Sequence, residues 1–301
     1  MYEDFYKFLA KPFSLSADAA CFFMSPQHAQ ALAVLQYSLL TSAGLTLVTG
    51  ESGTGKTLLV RRVMSNLDDT LVIGNIANTH SDFGSILPWV ASSLELSTNG
   101  TDAVEIFEAL ERFVDKQSEA DKRVVVIIDE AHNLSLSALE ELRLLTNLNT
   151  SDARGIQFVL VGQPTLEEKL AQAAVHDLAQ RIALDFKLEP FDFETTDEYI
   201  SYRLSLYGGR PELIDYLSRA TVYFHSLGIP RLINSLCDLA LVYGFGESLE
   251  TIDIKVVKKV LLSKKVSLSY FNRLQRSECA SKLRESVLTS HGIDIARFSA
   301  Q

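Results

Sequence analysis

The sequence predicts an α/β fold: a five-stranded parallel sheet covered by helices, followed by a small all-helical domain. Three observations predict it. Apolar, β-branched runs alternate with helical patterns from Gln27 to about Glu189. A glycine-rich turn joins the first of these strands to the helix that follows it. From Pro190 onward no strong strand run occurs, and amphipathic segments are separated by Gly or Pro.

The first strand is LTLVTG, Leu45–Gly50, apolar and β-branched as a strand buried on both faces should be. The octet GESGTGKT follows, Gly50 to Thr57, and then a helix over Leu58–Met64. The octet fits G-x-x-x-x-G-K-[ST] at every fixed position, in the strand–loop–helix setting that motif needs. Gly50, Gly53 and Gly55 allow backbone conformations closed to other residues. The amides of such a loop can then turn inward toward phosphate oxygens, helped by the partial positive charge of the helix N-terminus. The stretch expected to contact a nucleotide is Gly50, Glu51, Ser52, Gly53, Thr54, Gly55, Lys56, Thr57 and Leu58. Lys56 can reach the β- and γ-phosphates of ATP, and the Thr57 hydroxyl can ligate Mg²⁺.

The second strand is DTLVIGNI, Asp69–Ile76, with helices to follow over Ile86–Leu94 and Ala103–Lys116. The third, KRVVVIID, Lys122–Asp129, ends in two acids, Asp129 and Glu130. A buried strand delivers carboxylates at its C-terminal end into the crevice where open α/β sheets bind ligands. There Asp129 would hold the Mg²⁺, and Glu130 would orient and activate the attacking water. An acid pair at a strand end can also simply open a helix, but this one follows a matching phosphate loop by about 75 residues. His132 reads as a residue of the helix start with a local hydrogen bond.

A helix over Ser137–Leu148 leads to the fourth strand, GIQFVLVG, Gly155–Gly162. Gln163 just beyond it can hydrogen-bond the γ-phosphate or the water, or serve as a plain turn residue. A helix over Thr165–Leu170 and the fifth strand, IALDFKL, Ile182–Leu188, complete the sheet. Arg181 precedes that strand, and Arg231 opens a later helix after Pro230. A guanidinium suits the charge that builds on a transferring phosphoryl group. Spacing places neither arginine at the site, and a surface salt bridge would look the same in sequence.

The helical domain should contain helices over Phe193–Gly208, Pro211–Phe224 and Pro230–Gly244, and one from near Asp253 to about Ser263. Thr195 and Glu198 fit a capping box for the first. The expected division is 1–190 for the nucleotide-binding domain with an N-terminal extension, 191–263 for the helical lid, and 264–301 for a flexible basic tail.

The 301 residues are 47% hydrophobic and 22% charged, an ordinary globular composition. No run reaches the roughly 18 apolar residues of a membrane span, and the acidic, aromatic start MYEDFYKFLAKPF is no secretory signal. Cys21, Cys237 and Cys279 are odd in number and far apart, which excludes a disulfide framework or cysteine metal cluster and fits a reducing cytoplasm. Residues 251–301 carry ten Lys/Arg against four Asp/Glu, net +6, so an overall −10 leaves −16 on the first 250 residues. An acidic body argues against broad DNA binding. The basic tail suits an acidic partner, an anionic membrane face or nucleic acid, or serves only as a solvated tail.

With these residues in hand, the chain resembles the AAA+ ATPases of the GspA/ExeA secretion group, which includes MshM-like pilus-assembly and exosortase-associated ATPases. MYEDFYKFLAKPFSLSAD, FMSPQHAQALAVLQYSL, GESGTGKT, VVVIIDEAHNLS, VLVGQPTLEEKL, LAQRIAL and GIPRLINSLCDLAL carry the resemblance, in family order, from Met1 to about Ser263. It implies an ATP hydrolase with Lys56 and Thr57 as Walker A residues and Asp129 and Glu130 as the Walker B pair. It also implies Gln163 as sensor 1, Arg181 as an arginine finger toward a neighbouring subunit, and Arg231 as sensor 2. Lys11–Phe13 and Ser25–His28 fall where the family approaches the base. Secretion members continue into a membrane span and a periplasmic cell-wall-binding domain. Neither pattern is read here, so the expectation is a cytoplasmic member, peripheral on the inner membrane.

The resemblance implies an ATP-dependent homo-oligomer, a ring, that acts on protein components of a pilus or secretion assembly. Two other functions use the same motifs: an ATP-dependent DNA-binding regulator that recruits a transposase, and a nucleotide-gated scaffold with negligible turnover. Intact acids and arginines argue against the scaffold.

Overall fold

Five apolar runs form the strands β1 (Leu45–Gly50), β2 (Leu71–Ile76), β3 (Arg123–Ile128), β4 (Ile156–Gly162) and β5 (Ile182–Leu188) of the computed structural model. It describes residues 1–15, 21–65, 70–77, 79, 84–97, 102–148, 155–263 and 278–298. The strands pair all-parallel in the order β2-β3-β4-β1-β5. By contact the chain divides into two units. One comprises Pro26–Glu51 and Lys56–Leu188; the other comprises Met1–Ser25, Ser52–Gly55 and Glu189–Gln301.

The chain begins with a short helix, α1 (Tyr2–Tyr6), which belongs to the second unit. The sheet unit adds α2 (Pro26–Thr41), α3 (Lys56–Met64), α4 (Leu87–Ser93), α5 (Ala103–Glu119), α6 (Leu136–Leu145), α7 (Thr165–Leu170) and α8 (His176–Ala179). Strands β1 and β4 are buried along their whole length, which is why their sequences read as continuous apolar runs. Strand β5 lies at the edge and alternates in exposure. Helix α5 buries Ile106, Leu110 and Val114, one stripe at helical spacing, and Asp102 caps it by accepting the Val104 amide. Helix α6 is capped by Ser135, which accepts the Ala138 amide, and stops at Leu145, short of the expected Leu148.

The registers Thr49↔Gly162 and Leu160↔Ile128 bring the C-terminal ends of β1, β4 and β3 to one edge. Gly50, Gln163 and Asp129 therefore leave the sheet side by side. The chain runs from β1 to β2 past two strand positions that β3 and β4 fill later. The crevice at such a switch is where ligands of open α/β sheets bind.

The helical unit contains α9 (Phe193–Leu206), α10 (Tyr216–Ser226), α11 (Pro230–Gly246), α12 (Ile254–Ser263) and α13 (Glu278–His291). Two expectations are corrected here. Helix α9 is capped by Asp192, whose carboxylate accepts the Thr195 amide, so Thr195 is a helical residue and no cap. The helix expected from Pro211 starts at Tyr216, capped by Asp215. Residues before it form a 3₁₀ turn and a bridge between Ile214 and Ile252, a tertiary pairing that overrides local helical pattern.

Residues 1–15 and 21–25, expected with the sheet domain, group instead with the helical unit. Tyr2, Phe8 and Phe13 join its core beside Ile200, Leu204 and Ile233. The Leu9 amide donates to Tyr207 O at 2.9 Å, and the buried Arg203 donates its Nε to Pro12 O at 2.6 Å. The basic C-terminal segment is folded over 278–298: Ala280, Val287 and Ile295 are buried against Ala220, Tyr223 and Phe224. Arg284 and Arg297 both pair with Asp294. Expectations for 264–277 and 299–301 lie outside the described residues.

Candidate nucleotide site

The loop between β1 and α3 bends at Gly53, φ +89°, and Gly55, φ +104°, both in the left-handed region where a side chain is strained. Helix α3 begins at Lys56. The Lys56 side chain is buried and lies back across the loop, donating Nζ to Gly50 O at 2.8 Å and Glu51 O at 2.9 Å. Burial pushes its pKa down, opposed by the carboxylates of Glu130, Asp129 and Glu51. The tip of the loop groups by contact with the helical unit. There the Arg231 amide donates to Gly53 O at 3.3 Å, and a Cβ on Gly53 would stand 2.6 Å from Arg231 Cβ.

Asp129 continues the β3 ladder through its amide, which donates to Ile76 O at 2.9 Å. Its carboxylate is buried and doubly engaged. Oδ2 accepts the Thr57 hydroxyl at 2.6 Å, and Oδ1 accepts the Glu130 amide at 2.8 Å. Glu130 then turns the chain with φ +53°, a conformation uncommon outside glycine. Thr79 holds that turn, donating its hydroxyl to Glu130 O at 2.5 Å, and Asn133 Nδ2 donates to Thr79 O at 3.0 Å. Glu130 Oε2 lies 3.3 Å from His132 Nδ1. Burial is the largest influence on His132 and pushes its pKa below the usual imidazole value, so the ring is neutral near pH 7.

Gln163 stands directly after β4, between the ends of β3 and β1, and its carbonyl accepts the Leu166 amide at 2.9 Å at the start of α7. Arg181 points to the C-terminal end of α6, donating to Thr146 Oγ1 at 2.6 Å and Arg143 O at 3.4 Å. A cation there complements the helix dipole, so within one chain Arg181 has a structural partner. Arg231 is exposed at the second position of α11. Phe13, expected near a base, is buried in the helical core.

Sequence reading missed Thr79, Asn133, Glu167 and Lys169. Thr49 donates to Glu167, and Lys169 donates to His132 O at 2.5 Å and Leu134 O at 2.8 Å. Thr79 carried one usable signal, a polar residue just past the C-terminal end of a parallel strand. The others sit in helices and turns where polar residues are ordinary.

The residues present fit MgATP. A glycine-bent loop, a buried ammonium and a hydroxyl–carboxylate pair suit a triphosphate and its metal. Among the described residues no group of three or more His, Cys, Asp or Glu could hold a metal ion by itself. Thr57 and Asp129 would thus supply part of a shell that phosphates and water complete.

A family model described as an AAA domain matches residues 39–170. Among solved structures, the chain is similar to Cdc6p from Pyrobaculum aerophilum, with TM-score 0.61 and 18% identity over 84% of this chain and 70% of that one. It is similar to the Aeropyrum pernix ORC2 protein, with TM-score 0.57 and 13% identity over 94% and 85% of the two chains. Domain III of the replication initiation protein DnaA from Thermotoga maritima aligns with TM-score 0.54 and 18% identity over 83% and 97%. At such identities these likenesses speak for fold alone. The fold and the site define a P-loop domain of the AAA+ class.

General secretion pathway protein A of Aeromonas hydrophila is 36% identical over 247 residues, covering 82% of this chain and 45% of that protein. The chain belongs to the GspA/ExeA group of AAA+ ATPases and spans less than half the length of this relative.

Proposed function

We propose that the chain binds MgATP at the carboxyl ends of β1, β3 and β4 and hydrolyses it to drive assembly or remodelling of a secretion- or pilus-type complex at the inner membrane. One observation carries the nucleotide reading: Thr57 in the first turn of α3 and Asp129 at the end of β3 meet at 2.6 Å. In this reading the amides of Glu51–Thr57 and the Lys56 ammonium bind the phosphates. Thr57 and Asp129 hold Mg²⁺, which supplies charge neutralisation on the β- and γ-oxygens when bound. Glu130 accepts a proton from the attacking water, and Gln163 orients that water or the γ-phosphate.

Family membership supports the remaining assignments. Residues 191–263 act as the lid, Arg231 as sensor 2, and Arg181 as the finger that completes a neighbour's site in a homo-oligomer. The client class rests on 36% identity to a protein named for the general secretion pathway. Peripheral placement at the membrane is compatible with the absence, among the described residues, of a helix long and apolar enough to cross one.

Phosphate release by the parent, Glu130→Gln and Arg181→Ala tests the enzyme. Specific activity of the parent should rise with protein concentration, and Arg181→Ala should lose activity while retaining ATP. Activity per chain that stays constant down to dilute monomer refutes the ring. Capture from cells by Glu130→Gln with ATP tests the client; enrichment of secretion or pilus components supports it, and their absence contradicts it.

A further inference from the structure

Glu130 Oε2 and His132 Nδ1 are both buried and lie 3.3 Å apart, and neither atom makes a hydrogen bond to any described residue. Buried polar atoms seldom go unpaired, and here two such atoms face each other. The backbone around them is fixed from several sides. Thr79 holds Glu130 O, the Asn133 amide donates to the same carbonyl at 2.9 Å, and Lys169 clamps His132 O. A Cβ on Gly162 would stand 3.2 Å from the His132 main-chain nitrogen, so the turn is pressed against the end of β4. The left-handed Glu130 backbone persists because these contacts determine it.

We propose that His132 is a positioning residue for Glu130, donating its Nδ1–H to Oε2 and leaving Oε1 aimed at the water. The inference rests on the hydrolase reading of Glu130. A carboxylate only accepts, so the pair selects the Nδ1–H tautomer of the imidazole. A neutral ring orients the carboxylate without the loss of basicity that an adjacent imidazolium would cause.

The test uses the full chain and the variants His132→Phe and His132→Asn. Phe keeps a ring and removes the donor; Asn places an amide N–H where Nδ1–H stood. A positioned general base contributes roughly 10²–10⁴-fold, so loss of its orientation should lower kcat about tenfold or more in His132→Phe. KM and the affinity for a fluorescent ATP analogue should stay within about twofold, and His132→Asn should recover most of kcat. Independently, ¹⁵N-edited NMR without nucleotide should show the His132 Nδ1–H resonance in the parent and its shift or loss in Glu130→Ala. Undiminished kcat in His132→Phe overturns the proposal. So does an Asn variant as slow as Phe, or an Nδ1–H signal indifferent to Glu130→Ala. A parent that hydrolyses no ATP defeats the hydrolase reading, and the NMR comparison still decides the pairing. If His132→Phe fails to fold, His132→Asn and the NMR arm carry the test.

Discussion

Thr57 Oγ1 donates to Asp129 Oδ2 at 2.6 Å, joining the first turn of α3 to the end of β3 across 72 residues of sequence. One hydroxyl and one carboxylate oxygen at that spacing can share a divalent cation once the proton between them is directed elsewhere.

Thr57→Ala tests that relationship. Loss of one charge-assisted contact is worth about 1.5–3 kcal/mol, so affinity for MgATP should fall roughly tenfold or more. Affinity measured in EDTA should change far less. Titration of a fluorescent ATP analogue with and without Mg²⁺ reads both. Equal loss under the two conditions would remove Thr57 from the metal.

Gly228 is the least replaceable glycine of the helical unit. Its φ is +74°, and a Cβ there would stand 1.9 Å from Phe191 O, while the Phe191 amide donates to Gly228 O at 2.9 Å. Gly228→Ala should cost about 3 kcal/mol, from a strained backbone and a clash with main chain that cannot yield. Gly246 closes α11 with nothing within 4 Å of a Cβ. Gly246→Ala should be neutral or stabilise by up to about 1 kcal/mol. Urea unfolding of both variants checks the contrast; similar midpoints would show the Phe191–Gly228 contact to be dispensable.

The C-terminal segment is anchored through Ile295, fully buried against α10 residues Ala220, Tyr223 and Phe224. Ile295→Ala should weaken that docking by about 2–5 kcal/mol. Limited proteolysis should then cut after residue 277 much faster than in the parent, with the sheet unit unaffected. Unchanged cleavage would mean that the segment is held by something other than this cluster.

The same segment should be acid-sensitive. The Arg284 guanidinium, bonded to Asp294 through two nitrogens at 2.8 and 2.7 Å, holds the Asp294 pKa at about 2. A carboxyl depressed in the folded state contributes stability above its unfolded pKa and loses it as pH falls through the folded value. The contribution is therefore complete above about pH 4 and fades toward pH 2. Hydrogen exchange in 278–298 should accelerate across that window in the parent. Asp294→Asn should show the faster exchange already at neutral pH, with no further step; an identical pH profile in the variant would contradict the pairing.

Much of this was legible in the sequence because the relevant signals are local. The β-branched runs of β1, β3 and β4 need no partner to be recognised, and the Gly50–Thr57 spacing carries its own chemistry. Where local signals competed, geometry decided. Thr195–Glu198 matched a cap pattern, but Asp192 lay one residue before the helix and took the Thr195 amide. Pro211–Asp215 looked helical, but Ile214 bridges to Ile252. Residues with no sequence signal are those whose partners are distant. Thr79 reaches Glu130 across 51 residues, and Tyr2 bonds Asp238 across 236. The aromatic N-terminus showed that it packs somewhere; only the fold shows that it packs on the helical unit.

The most direct measurement is equilibrium binding and turnover of ATP by the parent, Lys56→Ala and Glu130→Gln. The parent should bind MgATP and release phosphate. Lys56→Ala should lose binding, and Glu130→Gln should bind as the parent does with turnover reduced roughly a hundredfold or more. Parent protein that ignores millimolar MgATP, or a Glu130→Gln variant that turns over at the parental rate, would contradict the account.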